Sequence, residues 1–331
     1  MEALTISLKN KVVLVTGGAG FIGSHVVDQL VFDHQIEKVI VVDNFSAGMR
    51  EFLKKSMDKI TLIEGDITDF SFVKELLENV DIVIHEAAQA DVAASIRDAR
   101  TDFDNNVIGT ENLLEAALNT DIQRFVFVSS ASIYGNNVVS PEDRRFVESL
   151  PCYPLSTYAS NKLFGEQTAR VFFECYGLPT VSLRYFSIYG PRQIPKYGSH
   201  SWVVAIFVIN ALEGKPITVY GDGNQIRDFT YVEDTAKATI LAAKKEIAVG
   251  KIFNVGSGKP TKIIDLANEV KEIVGYVPII HAPLPKGDPI GGYADVTLLR
   301  SSIEYVPDTP LEEGIRQYSR WFEKEGFQRE F

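Results

Sequence analysis

A glycine-rich segment joins an apolar run to a helical pattern near the start of the chain. Residues 16–23 have the sequence TGGAGFIG and lie between β-branched and apolar residues at 12–15 and helical spacing at 24–32. Glycine is needed where a strand-to-helix turn takes unusual dihedral angles or where backbone must approach a phosphate. The chain is therefore expected to begin with a β-α-β unit.

The first half continues this alternation of apolar runs and helical patterns. Near-continuous Val, Ile and Phe runs are typical of parallel strands that are covered on both faces. The predicted strands are 12–15, 39–42, 60–63, 82–84 and 125–128, and the predicted helices are 24–32, 72–78 and 107–118. This order predicts an α/β fold with a right-handed, doubly wound parallel sheet of the Rossmann type.

The second half is less regular and has no obvious linker or repeat. Proline and glycine predict a loop at 189–198. The predicted helices are 158–176, 203–213, 232–245 and one beginning near 309–312, and the predicted strands are 180–183, 217–220 and 251–255. The two parts are therefore expected to be interwoven rather than joined end to end.

Composition excludes several classes of partner. The 331 residues carry a formal net charge of −11, which argues against non-specific attraction to nucleic acid or to anionic membranes. Two cysteines are too few for a disulfide framework in a chain this long. The N-terminus lacks a secretory pattern, and no apolar run is long enough to span a bilayer. A soluble, cytoplasmic protein is expected.

The glycine-rich segment and the end of the next strand predict a dinucleotide site. Gly17, Gly20 and Gly23 would let a pyrophosphate reach the amides at the start of the following helix. Asp43 ends the next predicted strand, where a carboxylate accepts hydrogen bonds from the adenosine ribose and disfavours a 2′-phosphate. This pattern predicts NAD rather than NADP. The alternative is that Asp43 and Asn44 only cap a turn.

Asp66 follows the third predicted strand and has two interpretations. It is placed to contact the adenine of the cofactor, or it is the N-cap of the helix that follows. The histidines are scattered without metal-ligand spacing, so no metal is predicted. His85, at the end of the fourth strand, either contacts the cofactor or packs beside it.

Tyr158 and Lys162 form the predicted catalytic pair. Residues four apart lie on one face of a helix, so the phenol and the ammonium group project together. An ammonium group and a positive nicotinamide both favour the phenolate and so lower the tyrosine pKa. Ser130 follows a predicted strand at the edge where such sheets bind ligands, and its hydroxyl can bond the reacting oxygen. The alternative is a chance pair on the surface.

At this point the chain resembles the extended short-chain dehydrogenase/reductases that act on nucleotide sugars. The similarity runs over nearly the whole length. It rests on the segments at 16–23, 85–89, 129–135, 158–162, 189–192, 227–234 and 254–256. The resemblance implies residues 1–185 as an NAD-binding domain to which 225–257 return, and 186–331 as mainly a smaller nucleotide-sugar-binding region. It also implies a homodimer that pairs through the helices predicted at 107–118 and around Tyr158.

The same resemblance supplies further expectations about the site. The predicted catalytic residues are Ser130, Tyr158 and Lys162. The predicted NAD contacts are Gly17, Gly20, Phe21, Ile22, Gly23, Asp43, Asn44, Asp66, Ile67, Ala87, Tyr158 and Lys162. The predicted contacts to a UDP-sugar are Ser130, Ser132, Ser187, Arg192, Arg227, Lys286 and Asp288.

The residues after Ser130 distinguish the reactions of this family. Sugar dehydratases need an added acid and base there, whereas this chain has Ala131 and Ser132 in a pattern similar to that of UDP-hexose 4-epimerases. The expected reaction is reversible inversion at C4 through a transient 4-keto sugar. The alternatives are another nucleotide-sugar oxidoreductase, namely a 4-keto reductase, a decarboxylase or a C3/C5 epimerase, or a non-catalytic NAD-binding protein.

Two departures from the family pattern bear on the substrate. Ser187 stands where an asparagine is usual, and Lys286 stands where an arginine is usual. Lysine keeps the positive charge but loses the planar, two-pronged bond that arginine gives a phosphate. The resemblance therefore leaves open whether the sugar is a hexose, an N-acetylhexosamine or a uronic acid.

Overall fold

A computed structural model describes residues 5–33, 36–195, 202–284 and 290–325. Its strands, in chain order, are β1 (Val12–Thr16), β2 (Lys38–Asp43), β3 (Ile60–Glu64), β4 (Ile82–His85), β5 (Arg124–Ser130), β6 (Arg145–Phe146), β7 (Thr180–Tyr185), β8 (Ile188–Tyr189), β9 (Ile217–Tyr220), β10 (Ile226–Arg227), β11 (Thr230–Tyr231), β12 (Ile252–Val255), β13 (Thr261–Lys262), β14 (Ile279–Ala282) and β15 (Tyr293–Ala294).

The α-helices of the described residues alternate with these strands. They are α1 (Phe21–Asp33), α2 (Phe70–Leu76), α3 (Val92–Arg97), α4 (Ala99–Phe103), α5 (Gly109–Ala117), α6 (Thr157–Tyr176), α7 (Val203–Leu212), α8 (Val232–Lys244), α9 (Ile263–Ile273), α10 (Thr297–Ile303) and α11 (Leu311–Glu325). A π-helical turn, Asp104–Ile108, joins α4 to α5.

A seven-stranded parallel sheet forms the centre of the fold, in the order β12-β7-β5-β4-β1-β2-β3. The order reverses at β1, since β2 and β3 extend to one side and β4, β5 and β7 to the other. Because the strands are parallel, their carboxyl ends share one edge, where Thr16 pairs with His85 and Ser130 with Tyr185. Ligands of open α/β sheets bind at this edge.

Alternate residues of each strand pack into two separate cores. Val13 and Val15 of β1 face a core that includes residues of α1, α8 and α10, whereas Leu14 faces a core that includes residues of α2, α5 and α6. This period of two lets helices cover both faces of the sheet. The predicted α/β, Rossmann-type fold is confirmed.

A third core belongs to a smaller region built from later segments. It combines apolar residues of α7, α9 and α11 with β9 and with Tyr189, Phe229 and Tyr231. The chain also returns to the main sheet, since β12 pairs with β7 and α8 packs against α1. The proposed division into domains stays a prediction.

Most predicted elements are present, with shifted ends. Helix α1 begins three residues earlier than predicted, and α2 runs over Phe70–Leu76 rather than 72–78. The predicted loop at 189–198 begins inside β8, and its residues 196–198 lie outside the described residues. Helices α3, α4, α9 and α10 had no counterpart in the sequence-based prediction. In the part of the chain that the structure describes, no helix has the length and apolar character needed to cross a membrane.

Candidate active site

One large cavity of about 1360 Å³ runs along the carboxyl edge of the sheet and extends between the sheet and the smaller region. It brings together residues that are far apart in the sequence. The predicted site residues that line it are Gly17, Gly20, Phe21, Ile22, Gly23, Asp43, Asn44, Asp66, Ile67, Ala87, Ser130, Ser132, Tyr158, Lys162, Ser187, Arg192 and Arg227. Which of them contacts which ligand stays a prediction.

Two further predicted residues, Lys286 and Asp288, lie outside the described residues. Their predicted contact with the diphosphate of a sugar nucleotide therefore stays an expectation from the sequence. The described chain resumes at Ile290, and the next two residues, Gly291 and Gly292, line the cavity.

The glycine-rich turn leaves bare backbone at the start of α1. Gly17 has a φ of +69°, and a Cβ there would lie 2.6 Å from the backbone nitrogen of Ala87. A Cβ at Gly23 would lie 2.4 Å from the carbonyl oxygen of Gly17. A Cβ at Gly20 would contact only that same oxygen, at 3.0 Å, so Gly20 presents backbone to the cavity. The turn therefore fits a pyrophosphate on the N-terminal amides of α1.

Asp43 makes the turn-capping contacts that were one of its two predicted roles, and its contact with a cofactor stays a prediction. Its Oδ2 accepts a hydrogen bond from the Ala19 amide at 3.0 Å, and its Oδ1 accepts one from the Phe45 amide at 2.9 Å. The carboxylate thus fixes the glycine-rich turn and the turn after β2, and it also lines the cavity. Burial raises its pKa, against these two amide hydrogen bonds, which lower it. The arrangement fits a carboxylate that receives the hydroxyls of an adenosine ribose.

Asp66 is not the N-cap of the following helix. That position belongs to Asp69, whose side chain accepts hydrogen bonds from the amides of Ser71 and Phe72. Asp66 instead accepts from the amide and hydroxyl of Thr68 and from the side-chain nitrogen of Asn44, at 2.9 Å. Asn44 and Asp66, two of the side chains predicted to contact NAD, are therefore hydrogen bonded to each other at the cavity wall.

Lys162 is buried and precisely placed by the sheet. Its Nζ donates a hydrogen bond of 2.8 Å to the carbonyl oxygen of Val128, near the end of β5. The ammonium also lies 5.2 Å from the centre of the Phe127 ring. Burial lowers the pKa of Lys162 to about 8, while the charges of Glu86 and Asp102 raise it.

Tyr158 lies one turn before Lys162 on α6, and both side chains line the cavity. The helix begins at a fixed point, since Ser156 caps it and the Thr157 hydroxyl bonds the carbonyl oxygen of Ser95 at 2.7 Å. Tyr158 is hydrogen bonded to Ser130 at the end of β5. The three predicted catalytic residues therefore meet at one wall of the cavity.

The pKa of Tyr158 is shifted in the direction opposite to the one predicted. Burial raises it to about 12, and the charges of Asp102 and Glu86 add to this effect, while the Ser130 hydrogen bond lowers it. The sequence-based argument considered the attraction of nearby cations but not the loss of hydration around a phenolate. The protein alone therefore favours the neutral phenol.

Two serines predicted to contact the sugar, Ser132 and Ser187, line the cavity. The Ser132 hydroxyl donates to Ser130 Oγ at 2.9 Å, so the two hydroxyls form one hydrogen-bonded pair. Ser187 follows β7 and adopts a φ of +36°, which is uncommon for a residue with a side chain. Its exposed side chain faces the cavity.

The two predicted diphosphate anchors enter the cavity from different elements. Arg227 lies on β10, and its Nη1 donates to the carbonyl oxygen of Ile226 at 2.9 Å. Arg192 lies in the irregular segment after β8, and its Nη2 bonds Asp28 of α1 at 2.6 Å. The guanidinium of Arg192 is therefore already paired with a carboxylate, whereas the sequence suggested only a phosphate contact. Both assignments stay predictions.

His85 packs beside the site rather than lining it. Its Nδ1 lies 2.8 Å from the Thr16 hydroxyl and its Nε2 lies 3.0 Å from the Thr110 hydroxyl. Burial lowers its pKa to about 3, and the Lys162 charge adds to this effect, so the ring is neutral. Within the described ranges, no three His, Cys, Asp or Glu side chains come together as metal ligands.

Sequence reasoning assigned no role to Glu86 and Tyr185, which are among the polar residues of the cavity wall. Glu86 follows β4, and its Oε1 accepts a hydrogen bond of 2.8 Å from the hydroxyl of Tyr185, which ends β7. Glu86 lies inside the 85–89 segment that carried the family resemblance, but its acidic side chain was assigned no role. The signal that could have identified it is an ionisable residue directly after a buried strand, at the ligand-binding edge.

Comparison with known proteins places this site in a family. The family model described as "NAD dependent epimerase/dehydratase family" matches residues 13–256. The chain is 36% identical to a putative UDP-glucose 4-epimerase of Methanocaldococcus jannaschii, an alignment that covers 93% of this chain and 97% of that protein. The predicted membership of an NAD-dependent nucleotide-sugar family is therefore confirmed.

Solved structures agree with this match over nearly the whole chain. A UDP-N-acetylglucosamine 4-epimerase from Methanobrevibacter ruminantium has a TM-score of 0.88 and 35% identity, covering 96% of this chain and 99% of that one. A UDP-glucose 4-epimerase from Thermus thermophilus, solved with NAD, has a TM-score of 0.85 and 36% identity, with coverages of 94% and 99%.

The relatives do not all catalyse one reaction. A UDP-N-acetyl-α-D-glucosaminuronate decarboxylase of Bacillus cytotoxicus is 34% identical, over 93% of this chain and 97% of that protein. Relatives named as epimerases and a relative named as a decarboxylase have similar identity to this chain. The reaction therefore has to be argued from the residues of the site.

Proposed function

The chain belongs to the NAD-dependent epimerase/dehydratase family, and we propose that it inverts C4 of a UDP-hexose or UDP-hexose derivative through a transient 4-keto sugar. One observation carries the choice of reaction. Tyr158, Ser130 and Lys162 meet at one cavity wall, and the residues after Ser130 are Ala131 and Ser132. Elimination of water would need an acid and a base there, and these two side chains supply neither.

The cavity wall that carries Ser130, Tyr158 and Lys162 provides one proton acceptor, Tyr158, and two groups that act on it. Tyr158 takes the proton of the sugar 4-hydroxyl and later returns it, while Ser130 holds the reacting oxygen through its hydroxyl. Lys162 holds its ammonium against the carbonyl oxygen of Val128, two residues before Ser130, and stabilises the phenolate. When bound, NAD supplies the acceptor and donor of the C4 hydride and a positive charge beside Tyr158. That charge opposes the effect of burial, which by itself raises the pKa of Tyr158 to about 12.

Epimerisation requires a firmly held nucleotide and a loosely held sugar. Arg227 and Arg192 both line the cavity, and charge-assisted bonds from arginine are the strongest contacts available to a diphosphate. Around the sugar the wall offers small groups, namely Ser132, Ser187 and Gly292. We infer that the diphosphate anchors the substrate while the 4-keto sugar turns over and receives the hydride on its other face.

We further propose that the active form is a homodimer. The helices predicted to pair are α5, with the π-helical turn before it, and α6, and the two pack together. They expose apolar side chains that the monomer leaves uncovered, since Ile108 is 37% exposed, Phe164 49% and Val171 40%. Phe164 and Val171 are seven residues apart on α6 and therefore share a face. A second copy of the same surface is the occupant that a closed, symmetric dimer supplies.

The reaction is tested by incubating the purified protein, without added cofactor, with UDP-glucose, UDP-N-acetylglucosamine and UDP-glucuronate in separate reactions. Chromatography of the sugar nucleotides is expected to show the C4 epimer from at least one of them. Release of carbon dioxide from the glucuronate reaction would instead identify a decarboxylase. No product without cofactor, followed by turnover of a 4-keto sugar nucleotide with added NADH, would identify a reductase.

A further inference from the structure

Glu86 is an acidic residue in the cavity wall to which the proposed reaction gives no role. It directly follows β4. Its backbone packs closely against the glycine-rich turn, since a Cβ at Gly17 would lie 2.9 Å from the Glu86 carbonyl carbon. Its side chain is partly buried and lines the cavity. A carboxylate in such surroundings needs hydrogen-bond donors or a nearby cation.

A short chain of hydroxyl groups holds this carboxylate. The Tyr185 hydroxyl donates to Glu86 Oε1 at 2.8 Å, and the hydroxyls of Tyr185 and Thr239 lie 2.6 Å apart. Each hydroxyl has one proton, and the Thr239 hydroxyl also lies 2.8 Å from the carbonyl oxygen of Thr235. Tyr185 therefore donates to Glu86 when Thr239 gives its proton to Tyr185 rather than to Thr235. The chain joins β7 and α8 to the end of β4, so the position of the carboxylate is fixed by three elements of the core.

The sheet register places the ammonium of Lys162 beside Glu86. Glu86 follows His85, which pairs with Phe127 of β5, and Lys162 Nζ donates to the carbonyl oxygen of the next residue, Val128. Burial lowers the pKa of Lys162 to about 8, and the Glu86 charge is the largest of the influences that raise it. Burial raises the pKa of Glu86 to about 7, while the Tyr185 hydrogen bond and the Lys162 charge lower it. Both groups are charged above the pKa of Glu86 and below that of Lys162, and in that range each stabilises the other.

Other ionisable groups also face this pair. Asp102 of α4 raises the pKa of both Lys162 and Tyr158, although its effect on Lys162 is smaller than that of Glu86. His85 is neutral and contributes no charge. Tyr185 and Lys162 therefore act on Glu86 directly, and Asp102 acts together with Glu86 on Lys162 and Tyr158.

We propose that Glu86 is a positioning residue whose carboxylate, held by Tyr185 and Thr239, is the counter-charge that keeps Lys162 protonated inside the cavity. It acts on the reaction through Lys162 and does not contact the reacting atoms. The significance of this role for catalysis rests on the proposed function, but the ionisation of Lys162 does not.

The test is a direct titration of Lys162 in the protein with NAD bound. Carbon-13 at the lysine ε-carbons reports protonation by NMR, and Lys162→Arg assigns the signal. Glu86→Gln keeps the shape of the side chain and removes its charge. The acid dissociation constant of Lys162 is expected to rise about tenfold, so its titration midpoint moves to lower pH. The descending limb of the activity profile moves with it, while KM stays the same.

Two further variants make the result specific. Tyr185→Phe removes the hydrogen bond that favours the charged form of Glu86, so it should shift the Lys162 midpoint in the same direction by a smaller amount. Glu75→Gln, on the exposed side of α2, removes a carboxylate of the same type and should shift nothing. If Glu86→Gln does not fold, Tyr185→Phe decides the question.

An unchanged Lys162 midpoint in Glu86→Gln, or in Tyr185→Phe where that variant decides, would overturn the proposal. Failure of the proposed function has a different signature. The midpoint would then shift as expected, while no UDP-sugar is epimerised by the unaltered protein.

Discussion

Lys162 Nζ donates a 2.8 Å hydrogen bond to the carbonyl oxygen of Val128, two residues before Ser130. This contact joins α6 to the end of β5, so it sets the position of Lys162 relative to Ser130. The ammonium is buried, and burial lowers its pKa to about 8. The charge is therefore fully present below this value and is lost as the pH rises through it.

The first prediction concerns the pH dependence of the unaltered protein. The value of kcat/KM should fall above about pH 8, by about tenfold per pH unit, because deprotonated Lys162 no longer stabilises the phenolate. Initial rates across a series of buffers at constant ionic strength measure this limb. A rate that stays constant well above pH 8 would show that Lys162 keeps its proton or that its charge is not needed.

Replacing Tyr158 with phenylalanine should remove the proton acceptor and leave the fold intact. General acid–base catalysis contributes about 10²–10⁴ in rate, so kcat should fall by that factor, with NAD content and melting temperature unchanged. Tyr176→Phe is the matched control, because Tyr176 is on the same helix and is 62% exposed. Retention of more than a tenth of the activity in Tyr158→Phe would remove Tyr158 from the mechanism.

Gly17→Ala should prevent both stable folding of the turn and NAD binding. The added Cβ would lie 2.6 Å from backbone atoms of Ala87, at a φ of +69° that alanine rarely adopts. Strain and overpacking together should lower the free energy of unfolding by about 2–4 kcal/mol. Urea unfolding measures the loss. Gly275→Ala, with nothing within 4 Å of its Cβ, should have little effect, and equal losses in the two variants would contradict this explanation.

The buried ion pair behind the site should contribute far more to stability than an exposed pair on the same helix. Arg184 of β7 donates to both carboxylate oxygens of Glu166, at 2.9 and 2.7 Å, and both side chains are almost fully buried. Glu166→Gln leaves the Arg184 charge unpaired and should cost about 3–5 kcal/mol.

Glu174 provides the comparison for this pair, since it bonds Arg170 on the exposed surface of α6. Glu174→Gln should cost about 0–1 kcal/mol. Chemical denaturation of both variants measures the difference. Equal costs would mean that the buried pair is not what joins α6 to β7.

Phe164→Glu should dissociate the proposed dimer without unfolding the monomer. A carboxylate at residue 164, on the apolar surface of α5 and α6, would be buried without a partner on association. Solution scattering or light scattering of the unaltered protein should give twice the chain mass, and the variant should give the chain mass. Tyr276→Glu, at a position 83% exposed elsewhere, should remain dimeric. A monomeric mass for the unaltered protein would refute the dimer.

The local patterns predicted the sheet well, because its strands are apolar on both faces and the turn after β1 has a specific sequence. The segment between β4 and α5 was missed for a local reason. Asp91 and Asp98 cap α3 and α4 through their side chains, but these helices are too short to show periodicity. The π-helical turn at Asp104–Ile108 then shifts the helical register before α5 begins.

The electrostatics of the site could not be predicted, because they depend on the order of strands. Glu86 and Tyr185 are 99 residues apart and meet only because β4, β5 and β7 are neighbours in the sheet. The upward shift of the Tyr158 pKa has the same origin. Tyr158 is buried on α6, and the carboxylates that raise its pKa come from α4, which carries Asp102, and from the residue after β4, Glu86. Motif spacing identified the reacting groups but not their ionisation.

The most direct test of the account follows the hydrogen at C4. UDP-glucose and UDP-N-acetylglucosamine, each deuterated at C4, are incubated with the protein in ordinary water without added cofactor, and the products are analysed by NMR. The account predicts a C4 epimer that retains deuterium at C4, because the same hydride leaves and returns within one site. An epimer with hydrogen from the solvent at C4 would contradict it, as would the absence of any epimer from both sugars and from UDP-glucuronate deuterated in the same way.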